Sequence, residues 1–149
     1  MSDGAPDRHD AAAPLQVHAV WRGGYAAEVH ARGHRIAVDE PVEGGDSGPM
    51  PTELLCASLA SCLCLAIGHV AAKRGVDVPG LRVDVRAERD GRALRYGRLV
   101  VTASSSLPED ELAPLVERAE RFCWVSNTLA APPVIELSIH HATPTTEVQ

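Results

Sequence analysis

Hydrophobic and polar positions alternate over much of this chain, as they do in strands that bury one face. The pattern predicts six strands, at Leu15–Trp21, Tyr25–Ala31, His34–Val38, Leu81–Glu88, Leu94–Ser104 and Val134–His140. Residues 39–49 are rich in Gly, Asp and Pro, which predicts a loop directly after the third strand. Asp90-Gly91 marks a tight turn, so the fourth and fifth strands are expected to form a hairpin.

Two segments have helical patterns instead. The first starts at Pro51, which suits the first helical position, and its basic last turn precedes Gly75, a typical residue after a helix end. Its residues are apolar all round, so this helix is expected to be enclosed by protein. The second is predicted over 108–122, where Pro114 is placed to kink the early turns. Its apolar face is formed by Leu107, Leu112, Leu115, Val116, Ala119 and Phe122.

The predicted order is βββ-α-ββ-α-β, an α+β fold in which a long buried central helix packs with antiparallel sheets. We expect a single domain over 15–140, a disordered segment over 1–14 and a flexible tail over 141–149. A chain this small supplies little cover for a helix that is apolar on every side. An intertwined homodimer would complete that cover.

Composition excludes several classes of function. The 149 residues carry a net charge of −6 and only 3% aromatics, which argues against nucleic-acid binding. Arginines in 82–98 alternate with apolar residues and are expected on the solvent face of strands. The uncharged stretch 54–72 is rich in Ala, Ser and Cys and lacks a partner span, so no membrane crossing is predicted. No signal sequence is visible in 1–14, and a cytoplasmic location is expected.

The four cysteines do not form a secreted disulfide framework, since Cys56, Cys62 and Cys64 lie on one predicted helix. Cys62, Cys64 and His69 lack the spacing of a tetrahedral metal site, so neither a metal nor another cofactor is expected. Cys56 and Cys64 are interpreted as core packing, and His69 as a packed or interface histidine. Glycine-rich phosphate loops and nucleophile elbows are also missing from the sequence.

Two motifs carry a resemblance to a known family. Pro51-x-Glu-Leu-Leu is followed by small residues and Cys62, and Cys123-x-x-Ser-Asn comes 61 residues after Cys62. Over roughly 15–140 the chain resembles the OsmC/Ohr (organic hydroperoxide resistance) thiol peroxidases. The resemblance implies an OsmC-like fold and an intertwined homodimer. It also implies that an organic hydroperoxide oxidises Cys62 to a sulfenic acid, that Cys123 resolves it as a disulfide, and that a dithiol restores both thiols.

The chain departs from the best-known family members at two positions. They carry an arginine soon after a Gly-Gly pair, where this chain has Tyr25, and a glutamate directly after the helix-starting proline, where it has Thr52. Arg22 and Glu53 are the nearest replacements, and we expect a divergent OsmC-like branch. Cys62 lies about a dozen residues into its helix, beyond the reach of the N-terminal dipole, so another group must activate it. Arg22, Arg32 and Arg35 are candidates, although each also suits a solvated surface.

Two other functions fit the same residues. A non-catalytic OsmC-like protein would bind a small apolar ligand and keep its cysteines for structure. A redox sensor would form the Cys62–Cys123 disulfide to change a partner interaction without turnover. Trp124, beside Cys123, is either the wall of an apolar pocket or an ordinary packed side chain.

Overall fold

The computed structural model describes residues 13–142. Its elements confirm the α+β class with antiparallel sheets. In chain order they are β1 (His18–Gly23), β2 (Ala26–Ala31), β3 (His34–Val38), α1 (Pro51–Lys73), β4 (Arg82–Arg89), β5 (Tyr96–Ser104), α2 (Glu109–Glu120) and α3 (Trp124–Ala130). Two compact units divide between Ala57 and Ser58, inside α1. The single domain predicted over 15–140 stays a prediction.

The first unit contains a three-stranded antiparallel sheet in the order β1-β2-β3. One of its faces is polar: the His18 ring stacks on the His30 ring at 4.7 Å, and His30 Nε2 lies 2.6 Å from Glu28 Oε1. A register shift between Trp21 and Gly23 interrupts the pairing of β1 with β2. The sheet matches the prediction closely, with β3 at the predicted bounds and β1 displaced toward Gly23.

The loop after β3 is organised around one buried carboxylate, Asp39. Its Oδ1 accepts the Glu40 N–H at 2.8 Å, and its Oδ2 accepts the N–H of Gly45 at 3.0 Å and both the N–H and hydroxyl of Ser47. These hydrogen bonds hold the Asp39 pKa below its usual value, against burial. Gly44 passes so close to the carboxylate that a Cβ there would collide with it.

We expect Asp39→Asn to destabilise the protein at neutral pH, because the amide replaces an acceptor oxygen by a donor that faces other donors. Since the folded-state pKa is depressed, the stability from the carboxylate is present above its unfolded pKa and is lost as the pH falls through the folded one. Denaturant midpoints of wild type and variant should therefore differ at neutral pH and converge in acid.

Asp46→Asn is the matched control for that experiment, because Asp46 is exposed and Asn tolerates its positive φ of 52°. It removes the same charge from the same loop. An equal fall in the midpoint for both substitutions would show that charge alone, not the hydrogen bonds of Asp39, holds the loop.

Helix α1 has the boundaries that its sequence predicts. At its start, Glu53 Oε2 accepts the Met50 N–H at 2.9 Å, which is the reciprocal half of a capping box. At its end, Gly75 takes a φ of 65°, and the Val76 N–H bonds back to the Ala71 carbonyl at 3.0 Å. That bond closes a Schellman motif, so glycine ends the helix by adopting a backbone conformation that other residues resist.

The single chain encloses α1 only in part, as expected for a helix whose cover a second copy would complete. One stripe is buried, while Leu65 on another face is 76% exposed. The buried residues are Leu59, Leu63, Ile67, Val70 and Ala71. The complete enclosure in a homodimer stays a prediction. By length and composition α1 is long and apolar enough to cross a membrane, and 28% of its apolar stretch is buried. One such helix is weak support for a membrane span, because the core helix of a soluble protein has the same length and composition.

The second unit packs its core between α1, the β4–β5 hairpin and the later helices. The buried stripe of α1 contacts Leu115, Ala119 and Cys123, and inward-facing aliphatics of the hairpin cover the same cluster. Arginines of the hairpin face solvent and pair with neighbouring acids, as Arg98 does with Glu88 at 3.8 Å. The prediction that these arginines form the solvent-exposed face of the strands is confirmed.

The second predicted helix differs from the structure at its end. Helix α2 continues through Pro114 but stops at Glu120, and a turn at Phe122 and Cys123 leads into α3, which the pattern does not predict. Phe122 is exposed instead of buried with the other apolar residues of its face. Cysteine is an uncommon helix N-cap, so the sequence carries no familiar signal for a new helix after Cys123.

The predicted final strand is also wrong for the single chain. Residues 134–140 form no strand, and their apolar side chains are 87–91% exposed. Alternation shows that a segment suits a half-buried strand, but a strand also needs a neighbour, and the described residues supply none. The predicted disordered segment 1–14 and flexible tail 141–149 lie almost wholly outside the described residues and stay predictions.

Candidate functional site

The structure brings Cys62 and Cys123 together in the core of the second unit. Cys62 lies on α1, is partly buried and packs against the cluster that includes Cys123, whose side chain is 0% exposed. The Cys62 side chain is placed to act as a hydrogen-bond partner of the Cys123 sulfur. All four cysteines are free thiols, so this pair is in its reduced state.

Cys123 is the N-cap of α3. Its Sγ accepts the Ser126 N–H at 3.5 Å, and the Ser126 hydroxyl donates to the Cys123 carbonyl at 3.1 Å. The sulfur thus takes the place that a serine or aspartate oxygen usually has at this position. Cys123 and Ser126 occupy the N-cap and N3 positions, but the donor is a backbone N–H that almost any residue carries, so the spacing gives no sequence signal for the cap.

This environment favours the thiolate of Cys123. Burial alone raises the pKa of the Cys123 thiol, but hydrogen bonds from the Ser126 side chain and N–H outweigh it. Hydrogen bonds from the Cys62 side chain and the Val125 N–H also lower the Cys123 pKa. The net result is that this pKa lies below its usual value. The donors that stabilise a thiolate are therefore gathered around the predicted resolving cysteine.

Arg22 and Glu53, the predicted supporting pair, have other partners. The Arg22 guanidinium donates to Glu28 Oε1 at 2.7 Å, and this contact is the main cause of a lowered Glu28 pKa. Glu53 accepts the Met50 N–H at the start of α1. Both lie in the first unit, and among the described residues they form no ion pair with each other.

The other residues of the first unit that the sequence singles out are also accounted for. The Tyr25 hydroxyl donates to Glu43 Oε2 at 2.6 Å, and this hydrogen bond raises the Tyr25 pKa. Arg32 occupies the turn between β2 and β3 with a φ of 55°. Arg32 and Arg35 are exposed, as the surface interpretation of these arginines predicts.

The remaining candidates lie apart from the cysteine pair. Cys56 and Cys64 are partly buried, and neither belongs to the core cluster, so the interpretation of both as core packing is wrong. His69 is exposed and lines a groove with Lys73, Arg118 and others. Trp124 is exposed and lines a separate groove. Over residues 13–142, no group of three or more His, Cys, Asp or Glu side chains is arranged to hold a metal ion.

An apolar cavity of about 480 Å³ lies beside the pair, within the second unit. Leu59 and Leu63, which flank Cys62 on α1, form part of its wall, and Ser126, the hydrogen-bond partner of Cys123, forms another part. Aliphatic side chains of β5, α2 and α3 complete it. The cavity has room for a small apolar molecule, and neither Cys62 nor Cys123 is among its described lining residues.

Comparison with solved structures supports the fold. An OsmC-like protein of Mycoplasma pneumoniae matches at a TM-score of 0.68 with 19% identity, over 81% of this chain and 90% of that one. The organic hydroperoxide resistance protein OsmC of Legionella pneumophila matches at 0.63 with 21% identity, over 80% and 90%. The organic hydroperoxide resistance protein OhrB of Bacillus subtilis matches at 0.59 with 23% identity, over 80% and 92%.

Sequence comparison reaches the same family. An uncharacterized protein of Methanocaldococcus jannaschii is 22% identical over 107 residues, which is 69% of this chain and 52% of that protein. The chain thus spans about half the length of this relative. A family model described as OsmC-like protein matches residues 44–138, which include α1 and both cysteines of the pair. The chain therefore belongs to the family of OsmC-like proteins.

Proposed function

We propose that the protein is a thiol peroxidase that reduces organic hydroperoxides with Cys62 and Cys123. The observation that carries this proposal is the contact between the two thiols inside the core, with thiolate-stabilising donors around Cys123. Organic hydroperoxide resistance proteins of Legionella pneumophila and Bacillus subtilis share the fold and support the substrate class.

The reaction starts with proton transfer between the two sulfurs. The Cys123 thiolate accepts the proton of the Cys62 thiol, and the Cys62 thiolate attacks the terminal peroxide oxygen. The O–O bond breaks, the alkoxide takes the proton of the Cys123 thiol and leaves as an alcohol, and Cys62 becomes a sulfenic acid. Cys123, again a thiolate, attacks that sulfur and expels hydroxide, which a solvent proton converts to water. An external dithiol then reduces the disulfide and restores both thiols.

In this proposal Cys123 has two roles, because it serves as proton acceptor before it serves as resolving thiol. Such a role suits a chain in which the family's arginine and glutamate positions hold Tyr25 and Thr52. Arg22 and Glu53 remain proposed supporting residues, with alanine substitutions of each as the test. The Glu28 and Met50 contacts that hold them give each a structural role as well.

We also propose a cytoplasmic homodimer. The exposed face of α1 around Leu65 and the exposed apolar segment 134–139 are surfaces that a second copy would cover. Residues 134–139 keep the alternation of a strand, and a strand of a partner would supply the missing hydrogen bonds. The cytoplasm suits a pair of thiols that must be reduced after each turnover.

The first prediction concerns the cysteine pair. With an equimolar amount of cumene hydroperoxide, wild type should lose both thiols and form a mapped Cys62–Cys123 disulfide, while Cys62→Ser should consume no peroxide. Cys123→Ser should form the Cys62 sulfenic acid roughly a hundred-fold more slowly than wild type, since a positioned proton acceptor is worth at least about that much. Stopped-flow kinetics and thiol mapping measure these outcomes.

Cys64→Ser is the control, because Cys64 lies on the same helix but outside the core cluster. It should react as wild type does. Sulfenic acid formation in Cys123→Ser at the wild-type rate would exclude the proton-acceptor role. A folded wild type with unchanged thiols would favour the alternative of a non-catalytic protein that binds a small ligand in its apolar cavity.

The second prediction of this proposal is a pH dependence. Below its pKa Cys123 is protonated and cannot accept the Cys62 proton, so the rate of sulfenic acid formation should fall as the pH falls. Ser126→Ala removes a hydrogen bond that lowers the Cys123 pKa, so the acid limb of the rate profile should move to higher pH. Thr128→Ala deletes a hydroxyl that bonds only the Trp124 carbonyl, at 2.7 Å, and should leave the profile in place.

The third prediction of this proposal concerns the assembly of two chains into a dimer. Sedimentation velocity of wild type should give about twice the 15.8 kDa mass of one chain. Leu137→Asp should shift the protein toward the monomer, because it places a charge on the apolar side of the exposed segment and removes about 1.5–3 kcal/mol of burial per site. Ser138→Asp, on the opposite side, should stay dimeric. A wild-type monomer, or a dimeric Leu137→Asp, would contradict this interface.

A further inference from the structure

A groove of about 670 Å³ at the end of α1 is lined mainly by basic side chains, and it lies within the second unit. Its lining residues are His69, Val70, Lys73, Arg74, Arg118 and Phe122. Among the residues that the structure describes, no aspartate or glutamate lines this groove. Lys73, Arg74 and Arg118 therefore form a positive patch on a chain whose net charge is −6.

The cations of this groove have no acidic partner in the described part of the chain. None of Lys73, Arg74 and Arg118 forms an ion pair there. The hairpin arginines behave differently, since Arg82 and Arg86 each pair with an acid on their own strand. The positive charge of the groove is thus not offset by a neighbour and is available to an anion from solution.

Two helices supply these cations. Lys73 is the last residue of α1 and Arg74 follows it, whereas Arg118 lies in the last turn of α2. The C-terminal end of a helix carries a partial negative charge of about half a unit, which opposes an anion. Three full positive charges exceed that effect, and the N–H groups of Gly75 and Val76 already bond to carbonyls in the last turn of α1. The net charge at the groove is therefore positive.

Phe122 adds an exposed aromatic ring to the same groove. The hydrophobic pattern of α2 predicts this ring in the core, yet 57% of the residue is exposed. The Arg118 guanidinium lies 6.0 Å from the centre of the ring. An aromatic ring at the surface beside a cation offers a flat face on which the aromatic part of an anionic ligand can stack.

We propose that this groove binds a small ligand in which an oligophosphate chain is joined to an aromatic ring, which is the chemistry of a nucleotide. Guanidinium groups bind phosphate through paired hydrogen bonds, and lysine adds a point charge. Three cations suit the several charges of an oligophosphate better than the single charge of a carboxylate. The volume of the groove lies in the usual range for small-molecule sites. Side chains hold the phosphates here, so a glycine-rich phosphate loop is not required.

Calorimetry with ATP in the absence of divalent cations tests this proposal. Wild type should bind ATP more tightly than pyrophosphate, which lacks the aromatic ring, and more tightly than adenosine, which lacks the charge. Arg118→Gln should weaken ATP binding about 10-fold or more, the size of one lost charge-assisted contact. Phe122→Leu should weaken ATP binding about 5-fold or more through lost stacking and leave pyrophosphate binding unchanged. Added salt should weaken the binding of ATP and of pyrophosphate.

Arg121→Gln is the matched control, because it removes the same charge three residues after Arg118. Arg121 is exposed and lines the neighbouring groove with Trp124, which Phe122 also borders. This variant should bind ATP as wild type does. Equal weakening by Arg121→Gln and Arg118→Gln would overturn the proposal, since net charge or the other groove would then hold the ligand. Pyrophosphate binding as tight as ATP binding, or no binding of ATP to folded wild type, would also overturn it.

Binding at this groove does not depend on the proposed peroxidase function. Cys62 is not among the described lining residues of the groove, so Cys62→Ser should bind ATP as wild type does. A protein that binds ATP with the expected variant effects but reduces no hydroperoxide would sustain this inference and leave the peroxidase proposal to fail alone. A working peroxidase that binds no ATP would overturn this inference alone.

Discussion

The packing of α1 against α2 in the second unit is the interaction on which the rest of the site depends. Leu59, Leu63 and Ile67 meet Leu115 and Ala119, and each buried aliphatic side chain contributes about 1.5–3 kcal/mol. Ala119 is fully buried within the same cluster. This cluster, rather than any local property of Cys62, holds Cys62 next to Cys123.

The second constraint is the short turn after α2. Because α2 stops at Glu120, Cys123 enters the core at the head of α3 instead of lying on the exposed continuation of a helix. Burial and capping act on the same atom in opposite senses, since the core penalises a charged sulfur and the N–H groups of α3 stabilise it. The hydrogen bonds prevail, so the pKa of Cys123 lies below its usual value.

The sequence predicts those parts of the fold whose signals are local. Both ends of α1 follow from Pro51, Glu53 and Gly75, and the β4–β5 hairpin follows from strict alternation around a turn. The motif resemblance identifies Cys62 and Cys123 as a pair, and in the structure the two thiols lie together. These predictions required only neighbouring residues or a recognisable spacing.

The sequence predicts least where the structure of a segment depends on a distant part of the chain or on another chain. Residues 134–140 have the pattern of a strand, but pattern does not supply the neighbouring strand. The Arg22–Glu28 contact depends on strand register near a bulge, which residue spacing does not reveal. Helix α3 has a sulfur as its cap, which no familiar residue pattern signals, and the apolar cavity is formed by four elements that only the folded chain brings together.

One consequence follows from the double use of the Cys123 sulfur. A helix of seven residues is marginal alone and depends on its cap. A bond from this sulfur to another sulfur neutralises the acceptor at the head of α3, so oxidation and fraying of the helix become linked. Trp124 is the first residue of that helix and is exposed to water. Its fluorescence would therefore report the oxidation state of the pair from within the chain, without an added dye.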